Sequence, residues 1–284
     1  NSGGNVTVSN TGGIVISGAM NALGKVDVTA HSPITVTNTG AVTAGTGIFL
    51  MASAATPTSS GDSLVVSGSL SSTGGIIELV GGTVILGATS QVSATNGGSV
   101  EVAAIGAQGD IFQHGGTISS SSDVSLIADR NVSLNGITNA GGLLGVFAGL
   151  NSVGTTGGNI SVGAAGNVVA DDIFMIANRD TGTGSFTTDN VSQQVGSSMQ
   201  TGNDFLIHAS GNIDMLGTVV GNAAGRTNLL AGYNNNGNGT EQAFTGARVT
   251  ANNLQANGGS VSIQATAGIN AVVQSAGVVG ANIN

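Results

Sequence analysis

The sequence predicts an all-β protein, a right-handed parallel β-helix in which short strands wind into a three-sided solenoid of about eleven coils. Three observations lead to this prediction. The residue types favour strands over helices, one apolar alternation returns at a nearly constant interval, and a second alternation follows it within each interval. A single continuous solenoid over residues 1–284 accounts for all three.

Composition favours strands over helices. The 284 residues include 49 Gly and 2 Pro, with Val, Ile and Thr recurring throughout, while Lys and Arg together number 5. Gly and β-branched residues are poor helix formers, and β-branched residues pack well on a pleated surface. Hydrophobic residues make up 40% of the chain but aromatic residues only 3%, which indicates a core of Val, Ile, Leu and Ala. Apolar runs that recur along the whole chain also argue against disorder.

One short strand signature returns along the chain, a Gly, Asn or Asp turn followed by an apolar residue, any residue and a second apolar residue. Its predicted starts are Val6, Val26, Ile48, Ile77, Val100, Val124, Leu144, Phe174, Phe205, Leu229 and Val261. The first six intervals are 20, 22, 29, 23, 24 and 20 residues, which indicates a coil of about twenty residues with occasional insertions. Between residues 142 and 172 the register stays open, because Ile160 could begin a coil of its own.

A second strand follows the first by eight residues, as Val132 follows Val124 and Ile213 follows Phe205. A third, less regular segment closes the coil. Strands in this arrangement stack in parallel, roughly 4.8 Å apart, and point alternate side chains into and out of the solenoid. The predicted outward side chains are Thr7, Asp27, Glu78, Glu101, Ser125, Ser161 and Ser262. Glycine pairs such as Gly74-Gly75 and Gly258-Gly259 are predicted corners at which a positive φ favours glycine.

Charge and hydropathy exclude several classes of function. The net charge of −9, from 5 Lys and Arg against 14 Asp and Glu, argues against a nucleic-acid surface or an anionic membrane surface. No apolar run approaches the 18 or more residues of a membrane span. The chain begins at Asn1 without a signal-like segment and both ends fall inside the repeat, so we expect a fragment of a longer protein.

Three segments interrupt the repeat and are predicted surface loops, near residues 54–61, 178–200 and 233–248. The last loop holds the only tyrosine of the chain. Because binding residues concentrate in loops on a rigid scaffold, we predict a ligand or partner contact there. Its predicted residues are Tyr233, Asn235, Phe244 and Arg248. The alternative is a solvated loop without a partner.

A carboxylate cluster, Asp171, Asp172 and Asp180, is the one feature that points to catalysis. Parallel β-helices also carry polysaccharide-degrading enzymes, and glycoside hydrolysis needs two carboxyl groups at a defined separation. Adjacent aspartates resemble the pair in polygalacturonase-like enzymes, but the accompanying Gly-His-Gly and Arg-Ile-Lys signatures are absent from the sequence. We therefore predict no catalytic residues, and interpret these aspartates as corner residues that accept backbone hydrogen bonds.

No cofactor and no metal site is predicted. The three histidines, His31, His114 and His208, lie far apart in the sequence, and the chain contains no cysteine. Asn131 and Asn159 each begin an Asn-x-Ser triplet, which is expected by chance in so Asn- and Ser-rich a chain. Asparagines stacked along a corner of the solenoid explain these two residues better than glycans do.

Four segments of the repeat resemble the coils of filamentous-haemagglutinin-like exoproteins: Gly98-Ser-Val-Glu-Val102, Gly158-Asn-Ile-Ser-Val162, Gly211-Asn-Ile-Asp-Met215 and Gly259-Ser-Val-Ser-Ile263. The resemblance covers nearly the whole chain. It implies export by two-partner secretion across the outer membrane of Gram-negative bacteria and a β-helical fibre at the cell surface. It also implies attachment to host cells, to other bacteria or to biofilm polysaccharide.

The function expected from these observations is a structural rod of a secreted bacterial adhesin, extracellular or associated with the outer membrane. Its expected partners are carbohydrate or a cell-surface protein, besides the neighbouring coils of its own chain. One alternative is a self-assembling fibre or sheath subunit that polymerises end to end through exposed strand edges. A second alternative is a β-helical polysaccharide-active enzyme.

Overall fold

The computed structural model describes residues 3–52, 62–106, 109–149, 158–177, 189–222, 225–235, 241–243, 246–257, 259–275, 277 and 279–283, with the segments 233–235 and 241–243 described by their backbone. Within these ranges the secondary structure consists of β-strands and contains no helix. Accordingly, no helix in the described ranges could span a membrane.

The strands are short, and most of them have three to six residues. In chain order they are β1 (Val6–Asn10), β2 (Ile14–Ile16), β3 (Ala19–Ala22), β4 (Lys25–Ala30), β5 (Ile34–Val36), β6 (Ala41–Ala44), β7 (Gly47–Ala52), β8 (Ser63–Val66), β9 (Ser69–Ser72), β10 (Ile77–Gly81), β11 (Thr83–Leu86), β12 (Gln91–Ala94), β13 (Val100–Ala104), β14 (Ile111–Gln113), β15 (Thr117–Ser120), β16 (Val124–Ala128), β17 (Val132–Leu134), β18 (Ile137–Ala140), β19 (Leu143–Ala148), β20 (Ile160–Val162), β21 (Asn167–Ala170), β22 (Asp172–Ala177), β23 (Val191–Gln193), β24 (Ser198–Thr201), β25 (Phe205–Ala209), β26 (Ile213–Gly221), β27 (Thr227–Ala231), β28 (Tyr233–Asn235), β29 (Glu241–Ala243), β30 (Arg248–Ala256), β31 (Val261–Ala265), β32 (Gly268–Ser275) and β33 (Val279–Ile283).

A 12-stranded parallel sheet runs the length of the described chain in the order β1-β4-β7-β10-β13-β16-β19-β22-β25-β27-β31-β33. Each strand pairs with its equivalent one repeat later, as when Val6 lies opposite Val26 and Val124 lies opposite Leu144. The eleven predicted strand starts lie one in each of the first eleven strands of this sheet, from β1 to β31. The last strand of the sheet, β33, was not predicted. The all-β, parallel, repeating architecture predicted from the sequence is thereby confirmed, and it is that of a parallel β solenoid.

A 19-stranded sheet contains the other parallel strands, in two ladders. One ladder runs from β2 through β5 and β8 to β23, and the other runs from β3 through β6 and β9 to β24. The two join in β26, which pairs with β23 through Ile213 and with β24 through Thr218. Ile160 belongs to this sheet, where β20 pairs with β17 and β23. It therefore does not begin a new strand of the 12-stranded sheet, which settles the register between residues 142 and 172.

The inward side chains form one dry column. Val26, Ile48, Ile77, Val100 and Val124 are each 0 to 1% exposed, and each stacks on the next through the parallel pairs. In nine successive strands of the 12-stranded sheet, from β4 to β27, the last inward position holds an alanine or a glycine. These residues are Ala30, Ala52, Gly81, Ala104, Ala128, Ala148, Ala177, Ala209 and Ala231. We call this stack the alanine column.

The predicted inward pair Phe174 and Ile176 is wrong by one residue. Ile173 and Met175 point into the core at 1% and 0% exposure, and Ile173 pairs with Phe205 of the next coil. Every residue from 173 to 176 is apolar, so alternation alone does not fix the phase of this strand. The alanine column does fix it, because only this phase places Ala177 between Ala148 and Ala209.

Two of the three predicted loop segments are partly described. Within the predicted loop 178–200, β23 and β24 pair with the solenoid strands β20 and β21, so the predicted segment extends too far towards its carboxyl end. Residues 178–188 of that segment, and the predicted loop 54–61, lie outside the described residues. Within 233–248, β28 and β29 form an antiparallel pair of their own.

Glycines at the corners are required mainly by crowding. A Cβ at Gly75 would lie 1.8 Å from the carbonyl oxygen of Thr46 in the preceding coil, and a Cβ at Gly259 would lie 1.8 Å from that of Gly225. Among the described members of the predicted glycine pairs, Gly97 has a positive φ, 82°. The predicted cause, backbone conformation, is therefore wrong at Gly75 and Gly259, where close stacking of the coils excludes a side chain.

A ladder of side chains runs along one corner. The Oδ1 atom of Asn131 accepts hydrogen bonds from the backbone nitrogen of Asn159 at 2.9 Å and from its Nδ2 at 3.3 Å. Asn159, Asn190 and Asn212 each accept a backbone N–H from the following coil in the same way. The stacked asparagines predicted for this corner are confirmed. Asp110 begins the ladder by accepting from both nitrogens of Asn131.

Candidate functional site

The outer face of the 12-stranded sheet carries two rows of outward side chains, one from the second and one from the fourth residue of each five-residue pairing segment. In the first row Glu78, Glu101 and Ser125 lie on consecutive strands, as predicted. Further along the same row lie Phe174 and Leu206. The row therefore carries an acidic stretch, Glu78 and Glu101, in its first half and an apolar stretch, Phe174 and Leu206, in its second.

A shallow cavity of about 500 Å³ opens on the second half of this face. The residues that line it come from β19, β22, β25 and β27 and from the turns that precede β25 and β27. Its apolar wall consists of Leu143, Phe174 and Leu206 beside the buried Ile173, and its polar wall consists of Asp172, Asn203, Asp204, Arg226 and Asn228. This combination of an apolar surface with a few convergent polar groups is typical of small-molecule sites.

Three residues of the polar wall, Asp172, Asp204 and Arg226, occupy the same position in consecutive coils, immediately before the first inward residue. The Oδ1 atom of Asp172 accepts hydrogen bonds from the backbone nitrogen of Asp204 and from Nδ2 of Asn203, both at 2.9 Å. Asp204 in turn accepts the backbone nitrogen of Arg226 at 2.8 Å. Asp172, Asn203, Asp204 and Arg226 thus form a second corner ladder, and the stacking of the coils fixes their positions.

Arg226 also forms an ion pair with Asp204. Its guanidinium donates through Nε at 3.1 Å and through Nη2 to Oδ2 of the carboxylate. These hydrogen bonds from the Arg226 side chain, with that from its backbone, hold the pKa of Asp204 below its ordinary value of 3.8. The same contact raises the pKa of Arg226. Asp204 is therefore ionised at neutral pH.

The aromatic ring of Phe174 is held between two neighbours on adjacent strands. Its centroid lies 6.0 Å from that of Phe147 and 6.2 Å from the His208 ring, with interplanar angles of 57° and 54°. Tilted contacts at this distance are favourable for aromatic pairs. The Oδ1 atom of Asn228 is buried and has no hydrogen-bond partner among the described residues. The cavity thus combines a fixed ring with an amide that the rest of the described protein does not satisfy.

The chain matches no protein-family model, no curated protein and no solved structure. Among the described residues no three His, Cys, Asp or Glu side chains come together as a group that could hold a metal ion.

The predicted carboxylate cluster is only partly brought together. Asp172 lines the cavity, whereas Asp171 is exposed and does not line it. The carbonyl oxygen of Asp171 accepts hydrogen bonds from the backbone nitrogen of Asn203 at 2.6 Å and from the Thr201 hydroxyl at 2.7 Å. Asp180 lies outside the described residues. The acidic neighbour of Asp172 in the cavity is Asp204, one coil away.

The predicted contact residues of the 233–248 segment that the structure describes lie in two places. Tyr233 and Asn235 are the ends of β28, whose backbone lies beside β25, the strand that carries Leu206. Arg248 begins β30; it is exposed, and its backbone nitrogen donates to Oδ1 of Asn212 at 2.9 Å. Phe244 lies outside the described residues. The hairpin therefore neighbours the cavity strand, while Arg248 belongs to the other sheet.

A smaller cavity of about 150 Å³ lies on the first half of the face. Lys25 occupies it, with its Nζ 2.9 Å from Asp27 and 5.0 Å from the centroid of the Phe49 ring. Burial, followed by repulsion from Glu101, raises the pKa of Glu78 above its ordinary 4.5. The one cation of this cavity, Lys25, is already paired with Asp27, so the larger cavity is the better candidate for a ligand.

Nine residues line the larger cavity, and sequence reasoning named only Asp172 among them as a candidate site residue. The signal that could have revealed them is positional. Asp172, Asp204 and Arg226 stand immediately before the first inward residue of three consecutive coils. Aligning the coils on their inward residues places all three in one column, and placing Phe174 inward concealed that alignment.

Proposed function

We propose that the chain is the structural rod of a secreted bacterial surface adhesin, of the filamentous-haemagglutinin-like kind exported by two-partner secretion. The rod would present its outer face for attachment to host cells, other bacteria or biofilm matrix at the cell surface of a Gram-negative bacterium. The observation that carries the proposal is the unbroken in-register pairing of the 12-stranded sheet. Coils that are joined by backbone hydrogen bonds and by a dry interior make a stiff spacer.

The proposed rod is a right-handed, three-sided β-helix with one coil for each strand of the 12-stranded sheet. Right-handed winding is supported by the strong preference of parallel crossover connections for that hand. Three sides are supported by the three strands that each of the first eight repeats contributes. Coils spaced by roughly 4.8 Å give a length of about 50 Å.

Attachment is a better proposal than polysaccharide cleavage. A glycosidase needs one carboxyl group that is protonated at its working pH, which requires a raised pKa. In the larger cavity the pKa of Asp204 is lowered, and Oδ1 of Asp172 is engaged by the backbone of the next coil. Both aspartates therefore stabilise the stacking of coils, which supports a site that binds without catalysis.

The test of the proposed function is attachment by the purified chain. Fluorescent beads coated with the chain are incubated with epithelial cells, Gram-negative cells and a layer of biofilm polysaccharide. Beads coated with the Leu126→Asp variant serve as the control, because a charge at a position that is 0% exposed disrupts the coil. We expect retention of the native beads on at least one surface and loss of the variant beads.

Two outcomes would contradict the proposal. Absence of retention on every surface would reject the adhesin, and release of reducing sugars from the polysaccharide layer would favour the enzyme. Electron microscopy of the same preparation separates the remaining alternative. Filaments that lengthen with protein concentration would favour the self-assembling fibre, whereas single particles of about 50 Å agree with a rod.

A further inference from the structure

We infer that the larger cavity binds an uncharged sugar ring, with one face of the sugar on Phe174 and its hydroxyl groups on the polar wall. The inference rests on the proposed adhesin function and names the ligand class of its outer face. A sugar ring has an apolar C–H face and a rim of hydroxyl groups. The cavity has the complementary arrangement, an apolar wall beside polar groups that belong to three consecutive coils.

The apolar wall is prepared before a ligand arrives. Phe174 is fixed between Phe147 and His208 on the two adjacent strands. Leu206 lies next to Phe174 in the same outward row, one coil further along. Because these side chains belong to paired strands, little conformational entropy is lost when a ligand covers them. A flat apolar ring face fits this surface better than a flexible chain does.

The polar wall supplies acceptors that its own contacts leave open. Oδ1 of Asp172 accepts from the next coil, while its Oδ2 has no hydrogen bond among the described residues. Oδ1 of Asn228 is a buried acceptor that has no hydrogen-bond partner within the described part of the chain. Hydroxyl groups are donors as well as acceptors, so a sugar satisfies both groups.

Charge favours an uncharged sugar over an acidic one. Two carboxyl groups, those of Asp172 and Asp204, face a single guanidinium, that of Arg226, which is already paired with Asp204. A uronic or sialic acid would bring a third carboxylate to this wall without a free cation to receive it. The exposed Arg226 retains donors for a neutral hydroxyl or ring oxygen.

The size of the cavity agrees with one or two rings. A volume of about 500 Å³ lies within the roughly 300–1,000 Å³ of small-molecule sites. The cavity is open to solvent along the outer face, so a ring inside a longer chain can enter as readily as a free one. Binding of this kind is individually weak, and repeated sites along a rod strengthen it by multivalency.

The experiment is isothermal titration of the chain with methyl β-glucoside, methyl β-galactoside, an N-acetylglucosamine trisaccharide and glucuronic acid. We expect at least one neutral sugar to bind and glucuronic acid not to bind. Asp172→Asn keeps the Oδ1 acceptor that the Asp204 backbone needs, so it retains the fold while replacing the open Oδ2 by a donor. Both Phe174→Ala and Asp172→Asn are expected to weaken binding tenfold or more.

The matched control is Phe49→Ala, which removes an outward phenylalanine from the same sheet face but from the smaller cavity. We expect its affinity for the neutral sugar to equal that of the native chain. Equal weakening by Phe49→Ala and Phe174→Ala, or tighter binding of glucuronic acid than of every neutral sugar, would overturn the inference. So would the absence of detectable binding by all three neutral sugars at concentrations up to about 10 mM.

The two proposals can fail separately. Bead attachment without binding of any neutral sugar would leave the adhesin standing and reject the sugar site. Sugar binding that is lost in Phe174→Ala, without attachment of beads to any surface, would keep the site and reject the adhesin. Circular dichroism of each variant verifies that a loss of binding is not a loss of fold.

Discussion

The Oδ1 atom of Asn159 accepts hydrogen bonds from the backbone nitrogen of Asn190 at 2.9 Å and from its side-chain nitrogen at 3.3 Å. These two residues are 31 positions apart and occupy the same corner of consecutive coils. The same kind of contact, a side-chain oxygen that accepts a backbone N–H of the next coil, recurs along the whole corner. It begins at Asp110, which accepts from Asn131, and ends at Asn212, which accepts from Arg248. A corner whose backbone N–H groups have no strand partner is thus satisfied by side chains.

Replacing Asn159 tests the energetic contribution of this ladder. Asn159→Ala removes the acceptor of the Asn190 backbone nitrogen and is expected to lower the free energy of unfolding by about 1 kcal/mol. Asn159→Asp keeps an Oδ1 acceptor and is expected to lose less. Urea unfolding followed by circular dichroism measures both variants. An alanine variant as stable as the native chain would show that the ladder contributes nothing.

The alanine column predicts a limit on side-chain size at the ends of the sheet strands. Ala128 is fully buried between Ala104 and Ala148, so Ala128→Leu is expected to overpack the corner and destabilise the fold by about 1–3 kcal/mol. Ser125→Leu introduces the same side chain on the outward face of the same strand and serves as the control. Thermal unfolding compares the two, and equal effects would contradict the assignment of the column to the interior.

The Glu78 and Glu101 pair predicts a pH-dependent stability. The pKa of Glu78 is raised, first by burial and then by Glu101, so its contribution to stability is present below 4.5 and is lost as the pH rises through its folded-state value. Glu78→Gln is therefore expected to raise the thermal midpoint at pH 7 and to leave it nearly unchanged at pH 4. Glu101→Gln should act in the same direction and to a smaller extent, because burial of Glu78 remains. A gain that is larger at pH 4 than at pH 7 would have the wrong sign for this pair.

Two ion pairs between consecutive coils are expected to differ in how much they contribute to stability. Asp110 is 3% exposed and accepts hydrogen bonds from the guanidinium of Arg130, so Arg130→Ala leaves a buried carboxylate without its cation. We expect a loss of about 3 kcal/mol, since the Asn131 contacts remain. Arg226→Ala removes the exposed partner of Asp204 and is expected to change stability little. Urea unfolding midpoints of the two variants measure the two contributions. Equal midpoints would contradict the expectation that the buried ion pair contributes more than the exposed one.

Much of the solenoid could be predicted because its inward residues are marked by polar neighbours. Val124 and Leu126 flank Ser125, and Val100 and Val102 flank Glu101. The polar residue between two apolar ones shows which side chains of each strand point inward. Where both faces of a strand are apolar, as around Phe174, no polar residue distinguishes the outward positions from the inward ones. Information from the adjacent coils, through the alanine column, is then needed to choose the inward side.

The larger cavity could not be predicted for a related reason. Asp172, Asp204 and Arg226 become neighbours only when coils of 32 and 22 residues are aligned. Insertions of unequal length hide this alignment, so the sequence placed Asp172 beside Asp180 instead. The stacking of the corner asparagines could be predicted, because Asn131 and Asn159 each directly precede an inward apolar residue, Val132 or Ile160.

Cysteine cross-linking tests the stacking of consecutive coils most directly, since the chain has no cysteine of its own. Glu101 and Ser125 lie opposite each other on adjacent strands, roughly 4.8 Å apart, which is within the span of a disulfide. Glu78 and Ser125 are two coils apart, roughly 9.6 Å, which is too far. Under mild oxidation, mass spectrometry is predicted to find a complete intramolecular disulfide in the double variant Glu101→Cys, Ser125→Cys and none in Glu78→Cys, Ser125→Cys. Free thiols in the first variant, or a disulfide in the second, would contradict the parallel in-register solenoid.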